Sequence, residues 1–286
     1  MRKLYATLVL ALSLALLVAG CGSSDDDSTG SETSASAANC EPGNLPTETA
    51  GMLTVATDKP AYPPYFEDDD PTNGEGFESA VAYAIAKQLG YPAAKVKWTV
   101  EPFNSSYAPG PKDFDFDVNQ ISITPAREKA VDFSAPYYTA NQAVLALKDS
   151  DAAKATTIEE LADVKFGVQI GTTSLSATEE VIDPSSKPDV FNNSTDVVTA
   201  LKNGQIEAIV VDLPTALYLT AVEVPEATVI GQFADPEGDE WGALLAKDSP
   251  LTDCVSGAVE ALEALGELEA INTKWMSAAA GAPLLE

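Results

Sequence analysis

Short apolar runs and helical patterns alternate along the first half of the chain. Runs of about four to eight apolar residues bounded by turn signals predict strands, and here they occupy 52–57, 95–100, 116–123 and 143–148. Residues 76–89 repeat apolar side chains with a helical period, and Gly90 follows where a helix C-cap is expected. This half of the chain therefore predicts β-α-β units.

The second half repeats the alternation. Strands are predicted at 165–170, 206–211 and 241–246. Helices are predicted after Thr157, after Gly171, at 195–202, after Pro214, and at 251–265 and 267–276, while 229–233 leads into a loop. Strands that alternate with helices at this spacing are typical of α/β proteins with mostly parallel sheets. No period of about 20 to 50 residues is visible, so a solenoid is excluded.

The first twenty residues have the pattern of a secretory signal peptide. Arg2 and Lys3 precede the apolar run 4–18, and Val18-Ala19-Gly20-Cys21 places small residues before a cysteine, as in a lipobox. We expect cleavage after Gly20, diacylglycerol on Cys21 and acylation of the new amino terminus with a fatty acid such as palmitate. Several acyl chains hold a protein on a membrane more firmly than one. An uncleaved anchor helix and a plain secreted protein remain the alternatives.

Residues 22–38 contain no apolar side chain large enough to build a core. Such a segment stays disordered, so residues 21–45 are predicted to be a tether and the folded part to begin near Cys40. The predicted location is outside the cytoplasm, on the outer face of the cell membrane.

The formal net charge of −28 and the absence of histidine exclude several classes of function. Nucleic-acid binding needs a basic surface, and the scattered acids are typical of a soluble, self-repelling protein. Without histidine, a Ser-His-Asp triad and histidine-ligated metals are impossible. We expect no metal, no cofactor and no catalytic residue.

Two cysteines remain once Cys21 carries lipid. Outside the cytoplasm, Cys40 and Cys254 can form a disulfide between the start of the folded region and a C-terminal helix. Two separate buried thiols are the alternative.

Three groups of polar residues follow predicted strands, where α/β architecture places ligands. Ser122 and Arg127 can together bind a carboxylate, although such an arginine is often a surface ion-pair partner. Gly171 to Ser174 can bind an anion at a helix N-terminus, or can merely cap that helix. Asp212 can accept an ammonium group, or can cap the helix at Pro214.

Five segments in order make the pattern more specific. They are TDKPAYPPYFE (57–67), GFESAVAYAIAKQLG (76–90), SITPAREKAVDFSAPYY (122–138), FGVQIGTTS (166–174) and LKNGQIEAIVVDLP (201–214). Together they resemble the bacterial extracellular solute-binding proteins of family 3, the polar amino-acid-binding group of ABC importers. The resemblance spans about residues 51–276.

The resemblance implies roles for individual residues. Arg127 would bind the ligand's α-carboxylate, supported by Ser122, Gly171, Thr172 and Thr173. Asp212 would accept the α-ammonium group. Tyr62 and Phe103 would sandwich the ligand's side chain, with Tyr107 as the alternative to Phe103, and Asp58 would meet its polar end. Gln120 stands where many relatives have glycine or serine, so it can narrow the pocket or contact the ligand. Residues 104–115 also lack the family's usual helix.

The implied fold is a two-lobed clamshell of the type II periplasmic-binding-protein class, with a mostly parallel sheet and flanking helices in each lobe. Residues 46–146 and 240–286 would form lobe 1 and residues 147–239 lobe 2. Two crossing strands would form the hinge. The protein would be a monomer that captures a small zwitterion and delivers it to the permease subunits of an ABC transporter.

Two other functions remain open on the same fold. One is a secreted enzyme such as a cyclohexadienyl dehydratase, for which Asp58 and Glu67 are the candidate acids. The other is an extracytoplasmic sensor module. For a binding protein, we expect a ligand with a polar neutral or basic side chain, because Asp58 and the negative field oppose a second carboxylate.

Overall fold

The computed structural model describes residues 40–234, 239–276 and 282–285. The predicted signal peptide 1–20, Cys21 and tether residues 22–39 lie outside these ranges. The tether prediction is wrong for residues 40–45, because they pack on the folded part. Cys40 is disulfide-bonded to Cys254, and Leu45 is buried in the first hydrophobic core.

Ten strands and seven α-helices make up the described residues. The strands are β1 (Leu53–Thr57), β2 (Val96–Val100), β3 (Phe116–Asp117), β4 (Val131–Thr139), β5 (Gln142–Leu147), β6 (Phe166–Gln169), β7 (Asp189–Phe191), β8 (Ala208–Asp212), β9 (Ala227–Phe233) and β10 (Glu240–Ala246). The helices are α1 (Phe77–Gln88), α2 (Phe103–Ser106), α3 (Thr173–Ala177), α4 (Ser194–Lys202), α5 (Leu213–Tyr218), α6 (Thr252–Ala264) and α7 (Glu267–Met276). None of these helices is long and apolar enough to cross a membrane.

The strands form two five-stranded sheets with the same design. The first has the order β2-β1-β3-β10-β4 and the second β7-β6-β8-β5-β9. In each sheet one strand, β10 or β5, pairs antiparallel with both of its neighbours, and the other pairings are parallel. Four strands of each sheet therefore run in one direction, which agrees with the predicted mostly parallel sheets.

The reversed strand of each sheet is the one that arrives from the other sheet. The chain leaves the first sheet after β4 and enters the second as β5, and it returns from β9 to β10. The first crossing therefore lies at 140–141, and the predicted lobe boundary at 146–147 is wrong. Residues 142–146 are fully buried, because β5 lies between β8 and β9 inside the second sheet. A strand apolar on both faces needs such a central position.

Four segments differ from the sequence prediction. The predicted strand 116–123 shortens to β3, because the chain turns at Gln120, whose φ is +48°. Segments 131–139 and 189–191 are strands that the apolar pattern did not identify, and 227–233 is a strand rather than a lead into a loop. In β4 and β7 polar and partly buried positions interrupt the apolar alternation.

The C-terminal residues 282–285 belong to the second sheet, so the prediction of one continuous lobe 1 segment over 240–286 is wrong. The backbone N–H of Gln232 donates to Pro283 O over 2.8 Å, and that of Leu285 donates to Gln232 O over 2.9 Å. Leu285 is buried against the second core. A side chain at Gly231 would lie 2.6 Å from Leu285 Cγ, so glycine lets this segment approach.

Each sheet has its own hydrophobic core. Helices α1, α6 and α7 cover the first sheet, where Phe77, Ile85, Val255 and Leu262 are fully or almost fully buried. The predicted Cys40–Cys254 disulfide is confirmed and closes a sequence separation of 214 residues on α6. The chain-entropy model assigns about 5 kcal/mol to a loop of this length. The disulfide therefore adds a covalent link to the core on the first sheet.

Candidate functional site

A cavity of about 670 Å³ lies between loops that follow strands of both sheets. Nine of the ten ligand-binding residues predicted from the sequence line it: Asp58, Tyr62, Phe103, Gln120, Ser122, Arg127, Thr172, Thr173 and Asp212. Gly171 does not line the cavity, but its carbonyl oxygen accepts a hydrogen bond from Arg127. The carboxyl ends of parallel strands meet at one edge of each sheet, which is why residues so distant in sequence converge here.

Hydrogen bonds span the gap between the two sheets around this cavity. They are Tyr62 Oη to Thr195 Oγ1 (2.9 Å), Tyr65 Oη to Thr215 Oγ1 (2.7 Å), Asn104 Nδ2 to Asn192 O (2.9 Å) and Arg127 Nη2 to Gly171 O (2.9 Å). All four can form only when the loops of the two sheets meet. The structure is therefore a closed arrangement of the cleft.

Arg127 is held rigidly and is 8 % exposed. It follows Thr124-Pro125 in a short turn, where its backbone N–H donates to Thr124 Oγ1. Its guanidinium donates to Ser122 O over 2.6 Å. The guanidinium carbon, Cζ, lies 5.4 Å from the ring centre of Phe103 and 5.0 Å from the ring centre of Tyr107. Burial lowers the pKa of Arg127, yet an arginine in a protein stays protonated. No ion pair of the described residues involves Arg127, so the surface-pair alternative is not observed.

The two candidate aromatic residues differ in position. Phe103 lines the cavity at the start of α2, where its N–H donates to Asp58 Oδ2 over 3.2 Å. Tyr107 lies behind Arg127, and its hydroxyl would be 2.1 Å from a Cβ at Gly171. Gly171 has a φ of +74°, so both its conformation and its neighbour require glycine. The predicted sandwich of a ligand between Tyr62 and Phe103 stays a prediction.

The hydroxyl groups in the turn after β6 have two kinds of hydrogen-bond partner. Thr172 caps α3: its hydroxyl accepts from Leu175 N over 3.2 Å and donates to Gln169 O over 2.9 Å. The local capping alternative therefore describes Thr172. Thr173 and Ser174 instead point their hydroxyls to more distant side chains, Asp239 and Gln142.

Asp212 ends β8 at the N-cap position of α5, but its side chain makes no capping hydrogen bond. Its Oδ1 accepts instead from Gln142 Nε2 over 2.8 Å. Loss of hydration and, next, the neighbouring Asp239 raise the pKa of Asp212 well above its usual range, while Arg127 acts in the opposite direction. Asp212 and Arg127 thus interact through space without forming an ion pair.

Glu78 is a buried acid that the sequence pattern did not single out, because it reads as an acid in the first turn of α1. It accepts from the backbone N–H of Gln120 over 2.7 Å, from the Gln120 side chain and from the Tyr137 hydroxyl. The Gln120 amide nitrogen is thereby directed to Glu78, although Gln120 lines the cavity. Burial raises the pKa of Glu78 to about 7.

Asn119 is a second residue that the sequence did not reveal. It lines the cavity, and its buried Nδ2 has no hydrogen-bond partner among the described residues. A buried amide donor without a partner is costly, so a bound acceptor group would relieve it. Among the described residues no group of three acids or cysteines could hold a metal ion.

Comparison with known proteins identifies a matching family and several similar proteins. The profile of the bacterial extracellular solute-binding proteins, family 3, matches residues 53–278. An arginine-binding extracellular protein of Bacillus subtilis, ArtP, is 30% identical over 246 residues, covering 83% of this chain and 91% of the relative. The L-cystine-binding protein TcyJ of Escherichia coli is 29% identical over 236 residues, covering 80% and 84%.

A solved structure shares the architecture. It is an ancestral arginine-binding protein bound to arginine, with a TM-score of 0.66 and 31% sequence identity. The match covers 78% of this chain and 97% of the ancestral protein. The predicted two-lobed clamshell class is confirmed by this likeness together with the two mixed sheets.

We predict that Glu78 makes stability depend on pH. Its folded-state pKa of about 7 exceeds the ordinary 4.5, so the folded protein holds this proton more tightly than the unfolded chain does. This tighter proton binding stabilises the folded protein by about 3 kcal/mol below pH 4.5, and the stabilisation is lost as pH rises through 7. Denaturant unfolding from pH 4.5 to 8 should therefore show Glu78→Gln gaining stability relative to the wild type as pH rises.

Glu75→Gln is the matched control, because it removes one negative charge from an exposed position three residues away. A difference between Glu78→Gln and the wild type that stays constant over this pH range would show that Glu78 has the same pKa in the folded protein as in the unfolded chain.

Proposed function

Because the chain belongs to the bacterial extracellular solute-binding proteins, family 3, we propose that it captures an amino acid between its two sheets and delivers it to the permease subunits of an ABC transporter. The observation that carries this proposal is the pair Arg127 and Asp212. They line one cavity from opposite sheets and make no ion pair with each other. That separation suits a zwitterion, whose carboxylate and ammonium need one partner each.

Arg127 binds the α-carboxylate in this proposal. Two of its nitrogens already donate to carbonyl oxygens, which fixes the guanidinium plane, and its remaining N–H groups are available to the ligand. Asp212 accepts from the α-ammonium group. Each charge-assisted bond contributes about 1.5–3 kcal/mol. A few of them, with burial of the side chain, reach the roughly 8 kcal/mol that micromolar affinity requires.

Capture and closure are linked in this proposal. Lobe 1 consists of 40–139 with 239–276, and lobe 2 of 142–234 with 282–285. The four hydrogen bonds across the cleft exist only when the lobes meet, so a ligand that touches both lobes shifts the population toward the closed form. The closed form is the one that we propose docks on the transporter, as a monomer.

The charges around the cavity favour a ligand with a cationic side chain. Lys202 and Glu223 pair with each other at 3.8 Å, and Lys59 pairs with Asp69 at 3.0 Å. Once the zwitterion occupies Arg127 and Asp212, two lining carboxylates remain unpaired by lysine or arginine, those of Asp58 and Asp196. Two of the relatives carry arginine in their names. We therefore propose arginine or a similar basic amino acid as the ligand.

A thermal-shift screen followed by calorimetry tests this function. Binding to the native state alone raises the melting temperature, so arginine and lysine should raise it more than glutamine, and aspartate and glutamate should have no effect. A preference for acidic amino acids would contradict the charge argument, and no response to any amino acid would contradict the function. Incubation with a cyclohexadienyl acid such as prephenate, recovered unchanged, separates binding from the enzymatic alternative.

Substitution of either charged group should weaken binding. We expect Arg127→Ala and Asp212→Ala each to reduce arginine affinity by at least tenfold in calorimetry, without loss of the folded circular-dichroism spectrum, because each removes one end of the grip on the zwitterion. Lys129→Ala is the control, since Lys129 lies exposed on the same turn as Arg127. Wild-type affinity in either alanine variant would remove that residue from the site.

We propose further that Cys21 anchors the protein outside the cytoplasm through lipid. The support is the lipobox sequence at 18–21 and the extracellular location that defines the family. Cys21→Ser should be released from membranes into the soluble extracytoplasmic fraction, since it has no thiol to carry diacylglycerol. Fractionation with an antibody measures this, and retention of the serine variant on membranes would favour an uncleaved anchor.

A further inference from the structure

Two buried polar side chains lie directly behind the cavity without lining it. Gln142 is the first residue of β5, just after the first crossing between the sheets, and Asp239 lies at the end of the second crossing. Gln142 is 0 % exposed and Asp239 is 1 % exposed. The two crossings also touch through the backbone, where Ala140 N donates to Asp239 O over 2.9 Å.

Gln142 joins two carboxylates. Its Nε2 donates to Asp212 Oδ1 over 2.8 Å and also to Asp239 Oδ2. Its Oε1 accepts from Ser174 Oγ over 2.6 Å. The single amide group therefore uses both of its ends, and its nitrogen is the donor that the two acids share.

Asp239 reaches toward the opposite side of the cleft. Its Oδ1 accepts from Ser122 Oγ over 2.6 Å and from Thr173 Oγ1 at 3.3 Å. Ser122 belongs to the first lobe and Thr173 to the second. Asp239 thus fixes one hydroxyl from each lobe, and both hydroxyls line the cavity.

The groups around Asp212 disfavour its negative charge. Asp212 and Asp239 are neighbouring carboxylates, and the charged or titratable groups that face Asp212 are Asp239, Arg127, Tyr65 and Tyr138. Of these only Arg127 is positive. The second carboxyl, Asp239, raises the pKa of Asp212, whereas the hydrogen bond from the Gln142 amide, which the two acids share, lowers it.

We propose that Gln142 and Asp239 are positioning residues: the Gln142 amide holds the Asp212 carboxyl, Asp239 holds the Ser122 and Thr173 hydroxyls in place for the ligand, and both tie these groups to the two crossings between the lobes. This inference rests on the proposed function, because it assumes that Asp212 receives an ammonium group. It adds that the grip on the ammonium depends on a neutral amide that never touches the ligand.

Gln142→Met tests the amide, because methionine fills a similar volume without a donor. With L-arginine as the probe, calorimetry should show at least tenfold weaker binding at pH 6 and a distinctly smaller loss at pH 8. The Gln142 hydrogen bond lowers the pKa of Asp212, so without this donor the Asp212 carboxyl retains a proton to higher pH, and rising pH removes it. A defect that is only structural would be the same at both pH values.

The double variant Gln142→Met with Asp239→Asn gives a sharper result. The new asparagine side chain keeps an acceptor for Ser122 and removes one of the two negative charges, so the double variant should bind arginine at least threefold more tightly than Gln142→Met alone. Two independent structural defects would instead add and weaken binding further. Asn141→Met is the matched control, since Asn141 is exposed on the same crossing and should change affinity less than twofold.

The outcomes distinguish failure of the positioning role from failure of the proposed function. A wild-type protein that binds no amino acid contradicts the proposed function itself. A wild-type protein that binds arginine, with Gln142→Met within twofold of it at both pH values or with no rescue in the double variant, overturns the positioning role alone. If Gln142→Met does not fold, Gln142→Asn replaces it: its amide is one methylene too short to reach both acids, and the same pH-dependent loss is expected.

Discussion

Two opposite charges held apart in one cavity are the constraint on which this structure depends. Arg127 from one lobe and Asp212 from the other line the same space without pairing. Moving a charged side chain out of water is costly unless hydrogen bonds or an opposite charge compensate it. Arg127 and Asp212 therefore each need partners that leave one side of the charged group facing the cavity. Arg127 uses two backbone carbonyl oxygens and two aromatic rings, and Asp212 uses the Gln142 amide.

The fold provides those partners through its two crossings. Because the chain changes sheets twice, each sheet receives one reversed strand from the other, and the beginnings of these strands lie beside the carboxyl ends of their parallel neighbours. Gln142 and Asp239 lie at these two positions. The two residues beside the crossings therefore also form hydrogen bonds with side chains that line the cavity, those of Asp212, Ser122 and Thr173.

Buried acids extend beyond the site. Asp117 on β3 is fully buried, and neither of its carboxyl oxygens has a hydrogen-bond partner among the described residues. Burial, and next the charge of Glu78, raise the pKa of Asp117 well above its usual range. Asp117 and Glu78 are thus two buried proton-binding groups in the first lobe of a chain that is already strongly acidic.

The amino-acid sequence by itself determined the α/β class, most helices and strands, and three charged residues of the cavity, Asp58, Arg127 and Asp212. Apolar periodicity is local, and Asp212 and the glycine turn at 171 lie at the end of, or just after, strands that this periodicity identifies. Five short segments in a fixed order were also enough to indicate the family.

Only the tertiary structure decided where the chain changes sheets and which side chains support the site. The strand 142–147 looks the same in sequence whichever sheet it joins, and β4 is defined by its partner β10 more than by its own pattern. Gln142 and Asp239 are 97 residues apart, and Glu78 and Gln120 are 42 apart. A glutamine or an acid has no local signature of such a partner, because its role comes from burial and contact that exist only after the chain has folded.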